Sequence, residues 1–334
     1  MGEGRDDDET PIPDEDPIQE WLAMVETNEM FEEFGDLGDA LGGPPPSLGP
    51  VAAARAPMII DTDAGGAPDD SVALIAAARG VPELALVVTT DEYGGQRARF
   101  ARHLLDLAGR SDVPVVAGAA LGNTRSFVVG GLVPDDVPEQ SGEVAEAVAK
   151  VCASTPAAVR WVGMGPMSNL ARLQETRPEL VAKMVVTQLA GAIDPNAPAE
   201  HNLLTDPDAV IRMLPVLELS VPSFVVADVT GDPATKLVPD APIYRKWTAA
   251  AAPPWAPVLR AQCDRWTEQH PESTQYDALT LAAAVFWPGV RFGRERVSIG
   301  PDARMKRDGN GVEIAMAISA DYPAYLRWVD RLVT

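Results

Sequence analysis

The most informative stretch of this sequence reads Ile60-Asp61-Thr62-Asp63-Ala64-Gly65-Gly66-Ala67-Pro68-Asp69-Asp70-Ser71-Val72-Ala73-Leu74. We expect the apolar residues 58–60 to form a buried strand and the residues from Asp69 onward to form a helix. Four carboxylates lie within these ten residues from Asp61 to Asp70, and such crowding is costly unless a cation or many hydrogen bonds neutralise it. Oxygen ligands of this kind suit Ca²⁺ or Mg²⁺ better than Zn²⁺. The alternative is an N-cap, in which Asp69 or Asp70 complements the helix dipole.

Predicted strands and helices alternate along the chain from residue 57 onward. The strands are expected at residues 58–60, 84–88, 113–116, 159–162, 184–189, 221–226 and 312–318. The helices are expected at residues 69–79, 96–107, 142–152, 206–213, 276–286 and 322–332. This alternation predicts the α/β fold class, with a mostly parallel central sheet flanked by helices, a Rossmann-like open sheet. Ligands of such sheets bind at the carboxyl ends of the strands, where we therefore expect the site.

Charge is distributed unevenly over the 334 residues, which carry a net charge of −22. Residues 1–50 hold 15 of the 49 acidic side chains and one of the 27 basic ones. We therefore divide the chain into an acidic extension, residues 1–50, and an α/β domain, residues 51–334. Because nucleic-acid affinity depends largely on Lys and Arg at phosphates, this composition excludes nucleic acid as an expected partner.

The acidic extension contains one amphipathic segment. Residues 1–16 have the composition of a disordered region, whereas Ile18, Trp21, Leu22 and Val25 follow the spacing of a helix with one apolar face. A Gly/Pro linker at residues 42–46 then follows. Two interpretations stay open: the helix packs on its own domain, or it docks onto a partner protein or a neighbouring subunit.

Neither cysteines nor apolar segments indicate an extracellular or membrane protein. Cys152 and Cys263 are far apart and match no disulfide, metal or redox spacing. The N-terminus lacks the apolar segment of a secretory signal, and no apolar run reaches the ~18–20 residues of a membrane span. We therefore expect no membrane association and a cytoplasmic location.

The acidic turn resembles the Asp-x-Asp-x-Gly-x-Asp-Asp fingerprint of the inosine–uridine-preferring nucleoside hydrolase family. Further segments are similar to the family in its own order, and the resemblance covers roughly residues 57–332. These segments are residues 87–90, 104–110, 113–118, 163–170, 199–203, 206–209, 228–230 and 276–277. The resemblance implies the family's fold and hydrolysis of the N-glycosidic bond of a ribonucleoside or related N-ribosyl compound. A small nucleoside-like substrate and a homo-oligomer are further expectations.

The resemblance also implies a Ca²⁺ site and its ligands. Asp63, Asp70 and Asp277 occupy the carboxylate positions, and the backbone carbonyl of Met164 occupies the remaining protein position. Asp63 is then the base that takes a proton from the attacking water. For Asp277, an N-cap of the helix that follows is the alternative interpretation.

Other positions match residues that hold the sugar. Asp69, Glu200 and Asn202 correspond to residues that hydrogen-bond the ribose hydroxyls, and Asp277 belongs to the same substrate-binding set. Glu200 and Asn202 have a plain alternative as loop residues, since Asn is a common turn former. Asp61 is expected to organise the loop rather than to bind substrate.

Several positions depart from the family pattern. The turn at residues 64–68 makes the fingerprint two residues longer, a change that can rotate Asp69 and Asp70 relative to Asp63. Tyr276 stands where well-studied members have a His that protonates the leaving group, and its ordinary pKa of ~10 makes it a weaker acid. Gln96 lies in the loop where the family holds the sugar with Gly-Asn, and Asp194 stands where an Asn contacts the 5′ side.

The remaining aromatic and imidazole side chains leave alternatives open. His201 either reaches the pocket as an acid or packs where the family has Phe. Trp247, Trp255 and Trp266 either stack on a base or belong to the core or a lid.

Two other functions compete with hydrolysis. Asp61-Thr62-Asp63 after a strand resembles the first motif of a haloacid-dehalogenase-like phosphotransferase. That fold needs its second acidic pair far downstream, whereas here Asp69-Asp70 follow at once. The second alternative is a catalytically weakened relative of the nucleoside hydrolases that binds a ribosyl ligand or acts as a regulatory or interaction module.

Overall fold

The computed structural model describes residues 54–122, 127–270 and 273–334. The predicted N-terminal helix and its linker lie outside the described residues. The strands are β1 (Met58–Thr62), β2 (Leu84–Thr89), β3 (Val115–Ala117), β4 (Val159–Gly163), β5 (Met184–Leu189), β6 (Ser223–Val225), β7 (Lys236–Leu237), β8 (Ser273–Thr274), β9 (Val290–Ile299), β10 (Met305–Arg307) and β11 (Val312–Ala320). The α-helices are α1 (Asp69–Gly80), α2 (Gln96–Leu107), α3 (Val144–Ala153), α4 (Ser168–Thr176), α5 (Pro178–Val181), α6 (His201–Thr205), α7 (Pro207–Leu217), α8 (Ala227–Thr230), α9 (Pro242–Trp247), α10 (Ala256–Thr267), α11 (Tyr276–Ala284) and α12 (Tyr322–Val333).

The main sheet has nine strands among the described residues, in the order β10-β9-β11-β6-β5-β4-β1-β2-β3. All neighbouring pairs from β3 to β11 are parallel, and β9 runs antiparallel to both β11 and β10. The predicted mostly parallel sheet is therefore confirmed. The strand order reverses between β1 and β4, and in open α/β sheets the ligand crevice lies outside such a switch point.

The hydrophobic core is built from strands that are apolar on both faces and from helices that are buried around most of their circumference. All five residues of β1 and all five residues of β4 are buried, as expected for central parallel strands covered on both faces. α1 is buried along almost its whole length because it packs against α11 and α12. The carboxylates at the start of α1 are consequently carried into the interior rather than left at the surface.

Several sequence-based boundaries were wrong, and some elements were missed. The predicted strands 113–116 and 221–226 are shorter, because Pro114 and Pro222 cannot donate to a ladder, and the helix predicted from residue 142 begins at Val144. β9 was missed because half of its ten residues are half-exposed and four of them are charged. Within the described residues, no helix is long and apolar enough to cross a bilayer.

Candidate functional site

The polar groups after β1, β2 and β4 form one buried network at the carboxyl end of the sheet. Asp61 accepts hydrogen bonds from Thr90 Oγ1 at 2.5 Å and from Asn169 Nδ2 at 2.9 Å. The Asn169 amide also donates to the Thr89 carbonyl at 2.9 Å, and its Oδ1 accepts from the Ala119 nitrogen at 2.8 Å. These bonds tie neighbouring loops together, in agreement with the loop-organising role expected for Asp61.

Three buried carboxyl groups meet where α1 and α11 begin. Asp69 and Asp70 occupy the first turn of α1, and Asp277 occupies the first turn of α11. One carboxylate oxygen from each lies within 4.8 Å of the other two. Both helices point their N-terminal ends at this group, and that end of a helix dipole favours negative charge.

Asp70 and Asp63 link this cluster to β1. Thr62 Oγ1, at the end of β1, donates to Asp70 Oδ1 at 2.5 Å. The Asp63 carboxylate raises the pKa of each of the three clustered groups by charge repulsion, but it is not one of the three carboxylates that approach one another within 4.8 Å. A Cβ added at Gly165, after β4, would lie 3.4 Å from Asp63 Oδ1, so a glycine there leaves room for Asp63. Asp69 and Asp70 thus meet Asp277 despite the longer turn, whereas their expected rotation relative to Asp63 stays a prediction.

Burial dominates the electrostatics of the cluster. Loss of solvation raises the pKa of Asp69 to about 7, with repulsion by Asp63 acting in the same direction. The pKa values of Asp70 and Asp277 are well above their usual range for the same first reason, followed by repulsion from the neighbouring carboxylates. Burial likewise raises the pKa of Asp61 to about 7. The folded cluster therefore holds protons unless another positive charge takes their place.

The carboxylate oxygens of the cluster suit a hard cation. Asp69 Oδ1 and Asp277 Oδ1 are buried, and neither accepts a hydrogen bond from any described residue. A buried charged oxygen without a partner is strongly unfavourable, and carboxylate oxygens from several elements are the ligands of Ca²⁺ and Mg²⁺. The residues present therefore fit a divalent cation. The group contains two of the carboxylates expected to bind metal, Asp70 and Asp277, together with Asp69, which was expected to bind ribose.

The carbonyl of Met164 lies at the end of β4, opposite this group. Its nitrogen donates to the Asp61 carbonyl at 2.7 Å, and its oxygen accepts from Asn202 Nδ2 at 2.7 Å. Asn202 is buried in α6, and its amide holds this carbonyl in place, so it is not an ordinary loop residue. Glu200 is the N-cap of α6 and accepts from the nitrogens of Asn202, Leu203 and Gly191. Burial raises the pKa of Glu200, and these backbone donors oppose the rise.

Asp194 and Gln96 are both exposed. Asp194 and Glu200 line a cavity of about 300 Å³ between the loop after β5 and the β9–β10 turn. The side chain of Asp194 accepts from the nitrogen of Asn196 at 2.8 Å, and its own nitrogen donates to Asp228. Gln96 is exposed as the first residue of α2. A substrate-binding role for either residue stays a prediction.

The sequence suggests two proton donors for the site, Tyr276 and His201. Tyr276 is half-buried and directly precedes Asp277 at the start of α11. His201 is exposed, and its Nε2 lies 3.8 Å from Asp63 Oδ2. Of the two interpretations of His201, the geometry favours a side chain that reaches the site over one that packs in the core.

Trp247 and Trp255 belong to the core and not to a base-stacking surface. Both are buried, and each indole Nε1 donates to the carbonyl of Val333 at 2.9 Å. Trp266 stacks on His270 with ring centroids 3.9 Å apart. Thr62, Arg97 and Gln262 were missed in the sequence. Arg97 and Gln262 reach the turn across long sequence separations, whereas Thr62 lies only eight residues before its partner Asp70.

Comparison with known proteins agrees with this geometry. The family model described as inosine-uridine preferring nucleoside hydrolase matches residues 58–321. A protein of Salmonella paratyphi B named pyrimidine-specific ribonucleoside hydrolase RihA is 34% identical over 173 residues, which are 46% of this chain and 55% of that protein. The same-named protein of Salmonella typhimurium has the same identity and coverage.

Solved structures show the same fold. A plant nucleoside hydrolase, PpNRh1, has a TM-score of 0.69 at 19% identity and covers 84% of this chain and 99% of its own. A purine-preferring ribonucleoside hydrolase from Gardnerella vaginalis has a TM-score of 0.66 at 21% identity, covering 83% of this chain and 97% of its own.

The chain belongs to the inosine-uridine preferring nucleoside hydrolase family, since the family model matches most of its length. The chain spans about half the length of the curated relatives it matches, 55% for the first two named above. The family resemblance expected from the sequence is thereby confirmed.

Proposed function

We propose that this protein hydrolyses the N-glycosidic bond of a ribonucleoside or related N-ribosyl compound, releasing base and ribose, with Ca²⁺ as its cofactor. The observation that carries the proposal is the meeting of Asp69, Asp70 and Asp277 at the switch point of the sheet. Membership of the nucleoside hydrolase family supports the reaction type. The names of the relatives support a ribonucleoside as the substrate class.

Four groups are proposed to hold the ion: the carboxylates of Asp63, Asp70 and Asp277 and the carbonyl of Met164. A divalent cation bound among them lowers the pKa of nearby water and neutralises the buried carboxylates. Thr62 keeps Asp70 turned toward β1 through its 2.5 Å hydrogen bond. Asn202 holds the Met164 carbonyl in place through its 2.7 Å bond.

Asp63 is proposed as the base that accepts a proton from the attacking water. Its side chain is 13% exposed, whereas Asp69, Asp70 and Asp277 are 4%, 5% and 3% exposed. It is thus the carboxylate of the four that faces the open side of the site, where water and a sugar arrive. A general base must lie within hydrogen-bonding reach of the proton that it removes, and Asp63 has the access for this.

The leaving base needs a proton as the glycosidic bond breaks, because the transition state places negative charge on it. Tyr276 is proposed to donate that proton from its hydroxyl. Tyr276 is half-buried and directly precedes Asp277 at the start of α11, and its position in the chain is where the family's proton donor stands. Asp69, Asp277, Glu200 and Asn202 are proposed to bind the ribose hydroxyls, Gln96 to help hold the sugar, and Asp194 to contact its 5′ side.

Ribose release from a panel of nucleosides tests the proposal. Purified protein is incubated with uridine, cytidine, inosine and adenosine, with added Ca²⁺ or with EDTA, and reducing sugar is measured. We expect ribose from at least one nucleoside in Ca²⁺ and little in EDTA. Asp63→Asn should lower kcat by about 10²-fold or more, whereas the exposed matched control Asp135→Asn should not change it.

The alternative of a ribosyl-binding protein makes a different prediction in the same experiment. If no nucleoside releases ribose while calorimetry still shows ribose binding, the hydrolase proposal is wrong and the binding function replaces it. The homo-oligomer, the cytoplasmic location and a protein partner for the N-terminal helix stay predictions.

A further inference from the structure

The turn between β1 and α1 is held by hydrogen bonds to each of its carbonyl groups. These carbonyls belong to residues 63–68, the part of the chain that contains the two extra residues. Arg97 donates to the Asp63 and Ala64 oxygens, and the Val128 nitrogen donates to the Gly65 oxygen at 2.8 Å. Buried backbone carbonyls need such partners. The extra length of the turn is therefore accommodated by donors from other elements.

Gln262 donates hydrogen bonds to the two carbonyls at the middle of this turn. It lies in α10 with no exposed surface, and its Nε2 donates to the Gly66 and Ala67 oxygens at 3.0 Å each. Its Oε1 accepts from Ser71 Oγ at 2.7 Å. Because Ser71 follows Asp70 directly, the Gln262 amide is bonded on both sides of the acidic pair Asp69-Asp70.

The other half of the turn is fixed by Arg97. Its guanidinium is buried, donates through Nε to the Asp91 carbonyl at 2.7 Å and lies 3.6 Å from the Asp91 carboxylate. It also lies over the ring of Phe127, 5.7 Å from the centroid. Arg97 holds one half of the turn and Gln262 holds the other. The backbone path of the turn is therefore fixed, and this path places Asp69 and Asp70 at the start of α1.

We propose that Gln262 is a positioning residue for the acidic cluster, setting the path of the longer turn so that Asp69 and Asp70 meet Asp277. This rests on the metal site of the proposed function. Gln262 bonds the turn and Ser71 and acts on the cluster through them. Residues that orient metal ligands without touching the ion typically change its affinity by ~10–100-fold when lost.

Calcium calorimetry on the full chain tests the role of Gln262. Gln262→Met keeps the length of the side chain but removes both hydrogen-bonding ends. We expect the Kd for Ca²⁺ to rise by at least ~10-fold. The matched control is Leu259→Ala, a buried position of the same helix, which should lower the melting temperature in EDTA without changing the Kd.

A second variant covers the case in which Gln262→Met does not fold. Ser71→Ala removes only the bond that orients the Gln262 amide, and we expect a Kd about 3-fold higher, below the full ~10-fold effect. If wild type binds Ca²⁺ and every folded variant at Gln262 and Ser71 has the same Kd, the positioning role of Gln262 is wrong. The metal site itself would be unaffected by that result. Wild-type protein that binds no Ca²⁺ would overturn both the metal site and this inference. Wild type that binds Ca²⁺ but releases no ribose would overturn only the hydrolase proposal.

Discussion

One carboxylate oxygen of Asp69 lies within 4.8 Å of one of Asp277, although Asp69 opens α1 and Asp277 belongs to the first turn of α11. Two buried acids at this distance cannot both be ionised without a counter-charge. The packing of α1 against α11 enforces this approach, so the fold itself creates the demand for a proton or a cation. A bound divalent cation would meet that demand.

Stability without metal should fall as the pH rises. Asp61 and Asp69 have pKa values raised to about 7 from 3.8, so the folded chain binds more protons than the unfolded chain between these values. Stability from these groups is therefore full below about pH 4 and is lost as the pH passes through about 7. In EDTA, the melting temperature should drop across this window.

Added Ca²⁺ should reverse that trend, because a cation replaces the protons. We expect the difference between the melting temperatures in Ca²⁺ and in EDTA to grow between about pH 5 and about pH 8. A difference that stays constant over this range would show that the cluster does not exchange protons for the ion.

The hydrogen bond from Thr62 to Asp70 should contribute to metal affinity. Thr62→Val keeps the side-chain volume and removes the hydroxyl that donates at 2.5 Å. We expect Ca²⁺ to bind about 10-fold more weakly, as measured by calorimetry. Thr267→Val, whose hydroxyl bonds only the carbonyls of its own helix, is the matched control and should bind Ca²⁺ like wild type.

Tyr276 should act on turnover more than on binding. Tyr276→Phe removes the proposed proton donor, and we expect kcat to fall by about 10²-fold with little change in the affinity for free ribose. Steady-state kinetics and ribose calorimetry measure the two effects separately. A variant with normal kcat would contradict the proton-donor role, and His201 would then be the next residue to substitute.

Trp255 should matter for stability alone. Trp255→Phe removes one of the two indole donors to the Val333 carbonyl, and we expect a loss of about 1 kcal/mol in the free energy of unfolding. Urea denaturation measures this loss. An increase of KM for a nucleoside in the folded variant would instead support the base-stacking interpretation, which the buried position of Trp255 disfavours.

The sequence predicted the central part of the fold well. Strands such as β1 and β4 are apolar throughout, a pattern typical of central parallel strands. Asp61, Asp69 and Asp70 could be assigned to the carboxyl end of β1 because an acidic turn follows an apolar strand. The place of Asp277 beside them came from the resemblance to the family, since no local pattern links such distant residues.

Features set by long-range contacts could not be predicted. Nothing in the sequence around Gln262 indicates that its amide donates to carbonyls of the turn at residues 64–68. β9 shows no clean alternation of polar and apolar residues because much of it is half-exposed. Nor did the sequence show that partners from α2 and α10 hold the longer turn while Asp69 and Asp70 meet Asp277.

Calorimetric titration of the full-length protein with Ca²⁺, beside Asp277→Asn, tests the central claim most directly. The account predicts one Ca²⁺ per chain for wild type and at least ~100-fold weaker binding for the variant, because one carboxylate of the shared group is lost. Equal affinity in the two proteins, or no binding by either, would contradict it.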